Sequence, residues 1–240
     1  MNAGQSKAGL VVVTGAGRGV GRATAKALAL EHGIEVIALS RNAAALDQLV
    51  QECAGGTGRV HPLVLDITSL DAAAQVKAFV EGRRVVALVH NAGQLHNVPM
   101  GLHERRELTD LYTTNVIAPL ELTQALADEL DGDPPGHIVH IGSMGGFQDS
   151  AKFPGLVAYS ASKAALACMA QCLAEEFKGR GIRSNCLALG AVDTEMLRAA
   201  FPGYEAPVTA AAMGAYVAQF SLMGHKLFNG KVLPVAVSTP

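Results

Sequence analysis

Short stretches rich in apolar residues recur along the chain, at residues 10–13, 35–39, 60–65, 85–89, 137–142, 183–189 and 231–237. Their length predicts strands. The unbroken Leu-Val-Val-Val of 10–13 is what a strand covered on both faces of a parallel sheet requires. Between them, residues 22–31, 108–130, 158–178 and 209–223 carry the spacing of helices, whereas 132–136 and 144–157 hold the glycines and prolines of loops. Strands alternating with helices predict an α/β class with a mainly parallel sheet.

The first strand runs into Thr-Gly-Ala-Gly-Arg-Gly-Val-Gly, residues 14–21. Strand, glycine turn and helix together present backbone N–H groups and a helix N-terminus to a diphosphate. Gly15, Gly19 and Gly21 let backbone and ligand approach closely. No Gly-Lys-Ser/Thr follows, so this is not a P-loop. Where a dinucleotide fold keeps an acid for a ribose 2′-hydroxyl, the second strand ends in Ser40 and Arg41. A hydroxyl and a guanidinium suit a 2′-phosphate, with Arg18 adding to them. The pair predicts NADP(H) over NAD(H).

Further along, Asp66 either accepts from an adenine amino group or begins the turn before Thr68, a plausible helix cap. After the fourth strand, His90 reads as a satisfied core histidine before a turn of small residues, Asn91, Ala92 and Gly93. Pro119 lacks an N–H and leaves the carbonyl of Asn115 free to hold a water. Ser143 closes the fifth strand, at the sheet end where α/β folds bind ligands. The loop behind it carries Phe147, Gln148, Lys152 and Phe153, placed to touch a substrate. Residues 190–194, including Gly190, Val192 and Thr194, form a turn placed to meet the carboxamide end of the cofactor. Tyr159 and Lys163 stand four apart on one helix face. A phenol titrates near ~10, and a neighbouring ammonium is expected to lower it into a range useful for proton transfer.

The 240 residues are half hydrophobic and 17% charged, with a formal net charge of -2. This suits one domain spanning 1–240 and gives no footprint for nucleic acid. Cys53, Cys168, Cys172 and Cys186 form no metal-ligand pattern and read as buried small hydrophobes. The polar opening, residues 1–9, precedes an apolar run too short for a signal peptide, and no run reaches membrane-span length. A reducing cytoplasm is expected. The almost wholly apolar helix at 158–178 needs cover on several sides, by the sheet and by a second subunit.

Taken together, the motifs resemble the short-chain dehydrogenase/reductase family. Thr14, Gly15, Gly19 and Gly21 match its cofactor turn, Asp66 its adenine contact and Asn91, Ala92 and Gly93 its fourth-strand motif. Asn115, Ser143, Tyr159 and Lys163 match its catalytic set in order. The resemblance implies a Rossmann-like, doubly wound sheet of seven strands with helices on both faces. It also implies hydride transfer between nicotinamide and a carbonyl or alcohol substrate. In that scheme Tyr159 moves the proton, Ser143 polarises the substrate oxygen, Lys163 lowers the tyrosine pKa and binds the nicotinamide ribose, and Asn115 holds a relay water. Val20 and Ile67 join the cofactor contacts, and a homodimer or homotetramer is usual. The chain departs from the pattern at His90, at Leu189 (a proline in most of the family, its loss making the turn more mobile), and in a short lid over 195–207. Those departures leave open an alternative, an NADP(H)-binding sensor or subunit without turnover.

Overall fold

The computed structural model describes residues 9–237, so the polar opening at 1–8 and residues 238–240 lie outside the described residues. Strands β1 (Leu10–Thr14), β2 (Glu35–Ser40), β3 (Arg59–Val64), β4 (Val85–His90), β5 (Gly136–Ser143) and β6 (Ile182–Leu189) fall where the apolar stretches predict them. Helices α1 (Gly19–Leu30), α2 (Ala43–Cys53) and α3 (Ala72–Val80) connect the first four strands. Helices α4 (Arg105–Tyr112), α5 (Ala118–Ala125) and α6 (Ala127–Leu130) lead into β5, and α7 (Val157–Glu176) joins β5 to β6. After β6 come a short strand β7 (Val192–Asp193), α8 (Glu195–Ala200), β8 (Val208–Thr209), α9 (Ala210–Met223) and β9 (Val232–Val235).

Among the described residues the main sheet has seven strands in the order β3-β2-β1-β4-β5-β6-β9. Every pairing in it is parallel. Alternation along β1 divides the core. Val11 and Val13 pack with Leu28 of α1 and Val217 of α9 on one face. Leu10 and Val12 pack with Val76 of α3, Leu122 of α5 and Leu130 of α6 on the other. The sheet is thus covered on both sides, which is why its strands read as continuous apolar runs. The two edge strands depart from this: β3 buries only Val60 fully and tolerates Pro62, and β9 is half-buried with Pro234 exposed.

Three expectations are corrected. The stretch 108–130 is not one helix: a π-helical segment, Thr113–Ile117, separates α4 from α5, and Ala118 N–H bonds the Thr113 carbonyl five residues back. Pro119 therefore sits in the first turn of α5, where a missing N–H costs little. Thr68 caps no helix, since Asp71 holds the N-cap position of α3. Cys168 and Cys172 are exposed, while Cys53 and Cys186 are buried. The spacing puts Cys168 and Cys172 on the outer face of α7, the same helix whose Ala167 and Ala170 pack inward beside Cys186. Among the described residues no helix is long and apolar enough to cross a membrane, and no cluster of three or more His, Cys, Asp or Glu is placed to hold a metal ion.

Candidate active site

β1 and β4 are adjacent in the sheet although β2 and β3 intervene in sequence, so the loops after them diverge to opposite sides. A cavity of about 650 Å³ opens at the carboxyl ends of the strands around this point. Its floor is fixed by Thr14, whose Oγ1 accepts the backbone N–H groups of Asn91 and Ala92, each at 3.0 Å. The Asn91 carboxamide donates back to the carbonyls of Thr14 and Gly15 at 3.0 and 3.2 Å. The turn after β1 and the turn after β4 are thereby locked together. Gly15 has φ +67, and a Cβ there would stand 2.8 Å from the Ala92 Cα, so no side chain is admitted.

At one end of the cavity Ser40 Oγ accepts the Asn42 N–H at 3.2 Å. Arg41, with a side chain 70% exposed, stands 3.6 Å from the Asp66 carboxylate. Asp66 also accepts from the Thr68 N–H and hydroxyl at 3.0 and 2.8 Å. Those Thr68 bonds and the Arg41 charge hold its carboxyl below the usual range. Arg18 reaches across the mouth to Glu195 on α8 at 3.0 Å. Thr194 caps α8 by accepting the Leu197 N–H at 3.2 Å. The Gly190 N–H is held by the Val235 carbonyl of β9 at 2.9 Å. The turn that lacks the usual proline is therefore pinned to the sheet rather than loose.

The other end gathers the polar groups. Ser143 ends β5, and Tyr159 and Lys163 lie one turn apart on α7 with 8% and 4% of their surfaces exposed. Lys163 Nζ donates to the Ile141 carbonyl at 2.8 Å and lies 6.0 Å from the Tyr159 ring centroid. Asn115, in the π-helical segment, is fully buried. Its Oδ1 accepts the Gln94 N–H at 2.8 Å, and its Nδ2 donates to the Gln94 carbonyl at 3.0 Å and to Ser162 Oγ at 2.9 Å. The π segment explains this reach, because a widened turn re-aims a side chain that a regular helix would direct elsewhere.

The electrostatics differ from the expectation in one respect. Burial raises the Tyr159 phenol above its ordinary value, and the opposing influence is its hydrogen bond with Ser143. The Lys163 ammonium is itself held down by burial, to about 8. It spends its bond on a backbone carbonyl.

A sequence profile of the short chain dehydrogenases matches residues 9–205. The chain belongs to that family. This dehydrogenase is similar to the 3-oxoacyl-(acyl-carrier-protein) reductase of Thermotoga maritima, with 33% identity over 77% of this chain and 74% of that protein. It is also 33% identical to the gluconate 5-dehydrogenase of Gluconobacter oxydans, over 77% of this chain and 72% of that one. A solved short chain dehydrogenase from Burkholderia cenocepacia in complex with NADP superposes with a TM-score of 0.86, covering 97% of this chain and 98% of that one at 26% identity.

In this dehydrogenase, most of the residues singled out from the sequence border the one cavity: Gly15, Arg18, Gly19 and Val20 of the turn, Ser40, Arg41, Asp66 and Ile67 beyond it, and Asn91, Ala92 and Gly93. Ser143, Tyr159, Lys163, Gly190, Val192 and Thr194 border it too. Two do not. Gly21 faces inward, where a Cβ would stand 2.2 Å from the Asn91 Nδ2. Asn115 stands behind Gly93 and Gln94. Of the loop residues proposed to touch substrate, Phe153 lines the cavity, whereas Phe147, Gln148 and Lys152 are not among its lining residues. Lys152 instead bonds the Phe147 carbonyl. Gln94, Ser162 and Phe201 went unrecognised in the sequence. Ser162 had a signal, since it lies inside the Tyr-to-Lys turn. Phe201 had none, because its place depends on how α8 folds back.

Proposed function

We propose that this dehydrogenase transfers a hydride between NADP(H) and a carbonyl or secondary alcohol, with Tyr159 as general acid and base. The observation that carries the reading is that Ser143, Tyr159 and Lys163 converge on the same cavity as the glycine turn. The cavity suits the dinucleotide: side-chain-free backbone at Gly15 for the diphosphate, Ser40, Arg41 and Arg18 for a 2′-phosphate, and Lys163 beside Gly93 for a ribose. When bound, the dinucleotide supplies or accepts the hydride. Ser143 holds the substrate oxygen. In reduction Tyr159, kept protonated by its raised pKa, gives its proton to the oxygen as the carbon gains the hydride, and the product is the alcohol. The phenolate then regains a proton from solvent water, passed by the Lys163 ammonium and by a water that Asn115 holds.

The same proposal takes the chain as one functional domain that works in the cytoplasm, where its four free thiols stay reduced. It also assembles as a homodimer or homotetramer. The outer face of α7 supports assembly, since Val157 is 55% exposed and Ala161, Ala164 and Cys168 continue an apolar stripe. Replacing Tyr159→Phe tests the chemistry. NADPH oxidation against a carbonyl panel is expected to fall by roughly 10²–10⁴-fold while NADPH binding stays within a few fold. Unchanged turnover in the variant would remove Tyr159 from the mechanism.

A further inference from the structure

The reaction end of the cavity is apolar in a way that selects among carbonyl compounds. Each polar group of the reacting cluster has an apolar side chain for a neighbour. Met144 follows Ser143, Leu156 stands one turn before Tyr159, and Leu95 follows the Gln94 that Asn115 holds. Phe201 at the end of α8 and Phe153 from the loop before α7 also line the cavity and meet edge to face, with ring centroids 6.1 Å apart and planes at 76°. Met196 of α8 completes this wall.

The cations lining the cavity are the ones assigned above to the dinucleotide, and each has a partner within the chain. Arg41 faces Asp66 at the far end at 3.6 Å, Arg18 is paired with Glu195 at 3.0 Å, and Lys163 is bonded to the Ile141 carbonyl at 2.8 Å. Besides Ser143 and Tyr159, the lining nearby offers Gln94, Asn91, Thr114 and Thr194, of which Asn91 already donates to the Thr14 and Gly15 carbonyls, the Thr114 hydroxyl to the Asp110 carbonyl at 2.9 Å, and Thr194 accepts the Leu197 N–H. A substrate carboxylate entering here gives up its water with no cation among the described residues to meet it beyond those the dinucleotide takes, and a polyol finds too few partners for its hydroxyls. An alkyl or aryl group loses nothing on entry and gains by leaving water.

We infer that the substrate is a neutral ketone or aldehyde carrying an alkyl or aryl group, bound against the wall that Phe153 and Phe201 form together, and that sugar acids such as ketogluconate are excluded. The inference rests on the hydride-transfer reading above and narrows it.

The test is NADPH oxidation by the full chain with 2-butanone, 2-hexanone, 2-octanone, benzaldehyde, fructose and 5-ketogluconate. The expected result is kcat/KM rising by roughly fourfold per added methylene along the ketones, with ketogluconate at least a hundredfold below 2-octanone. Phe201→Ala is expected to raise KM for 2-octanone about tenfold and to flatten the dependence on chain length, with the thermal midpoint reporting that the variant is folded. Preference for ketogluconate or fructose would overturn the substrate class and leave hydride transfer standing. No turnover on any compound would overturn hydride transfer instead. Calorimetric titration of the NADP-saturated protein with 2-octanol and with gluconate then decides the class: octanol binding alone sustains it, and gluconate binding, or neither, overturns it.

Discussion

Asn115 and Lys163 face one another across Gly93: a Cβ on that glycine would lie 3.3 Å from both the Asn115 Oδ1 and the Lys163 Nζ. The missing side chain is what lets a carboxamide on a π turn and an ammonium on α7 share one small space. Gly93→Ala is expected to fold, because that spacing is tight without being a clash. It should lower kcat by roughly ten- to hundredfold, the worth of one hydrogen bond to a charged group, with less effect on the dissociation constant of NADPH. Stopped-flow turnover beside fluorescence titration checks this. Loss of cofactor binding with kcat intact would mean that Gly93 only makes room for the dinucleotide.

Arg41 is exposed and held only by Asp66 at 3.6 Å, so it is free to turn to a 2′-phosphate. Arg41→Ala should weaken NADPH binding by roughly ten- to hundredfold and leave NADH nearly unchanged. The difference should shrink as salt rises, because the contact is solvent-exposed. Dissociation constants at low and high ionic strength measure it. Equal affinity of the unmodified protein for both dinucleotides would defeat the assignment.

The buried Lys163 makes stability depend on alkaline pH. Its folded-state pKa of about 8 lies below the ordinary 10.5. Between those values the unfolded chain binds the extra proton, so stability rises with pH over that window and is lost as pH falls back through it. Lys163→Met should abolish turnover yet unfold at higher urea below pH 8. The gain is at most roughly 3 kcal/mol and closes as pH approaches 10.5. A gap that stays constant from pH 7 to 10.5 would show that the ammonium is not the cost.

Acid should act through the histidines. Burial holds His90 and His137 at about 3, and His140 well below its ordinary value. His90 and His140 stack with centroids 5.0 Å apart, and His90 shares a hydrogen bond with Thr123 at 2.8 Å. Their stabilising neutral state is complete above pH 6.5 and is lost as pH falls toward 3, because the unfolded chain takes up their protons first. At pH 5 each such histidine costs roughly 2 kcal/mol. His90→Asn should remove about one proton from the pH dependence of the urea midpoint between pH 7 and 5. An unchanged slope would refute the assignment.

Much of this is legible in the sequence itself. Continuous apolar runs such as 10–13 and 85–89 declare a strand covered on both faces, because nothing else buries both sides of so short a segment. The Tyr159–Lys163 pairing and the turn at 14–21 follow from spacing alone. The exposure of Cys168 and Cys172 does not, because a helix apolar all round does not say which face the sheet takes. Nor does the π segment at Thr113–Ile117, whose extra residue leaves the helical pattern unbroken. The phenol's pKa departs from the expectation because spacing reports that an ammonium is near but not how deeply the phenol itself is buried.

The last sheet strand, β9, lies on β6, and its Val235 carbonyl secures the Gly190 N–H at the rim of the cavity. A nascent chain leaving the ribosome must therefore expose Tyr159 and Lys163 long before that rim is in place. Until the final crossover docks, β6 presents a bare apolar margin to other chains. Closure of the cavity rim and cover for that margin arrive in the same late step.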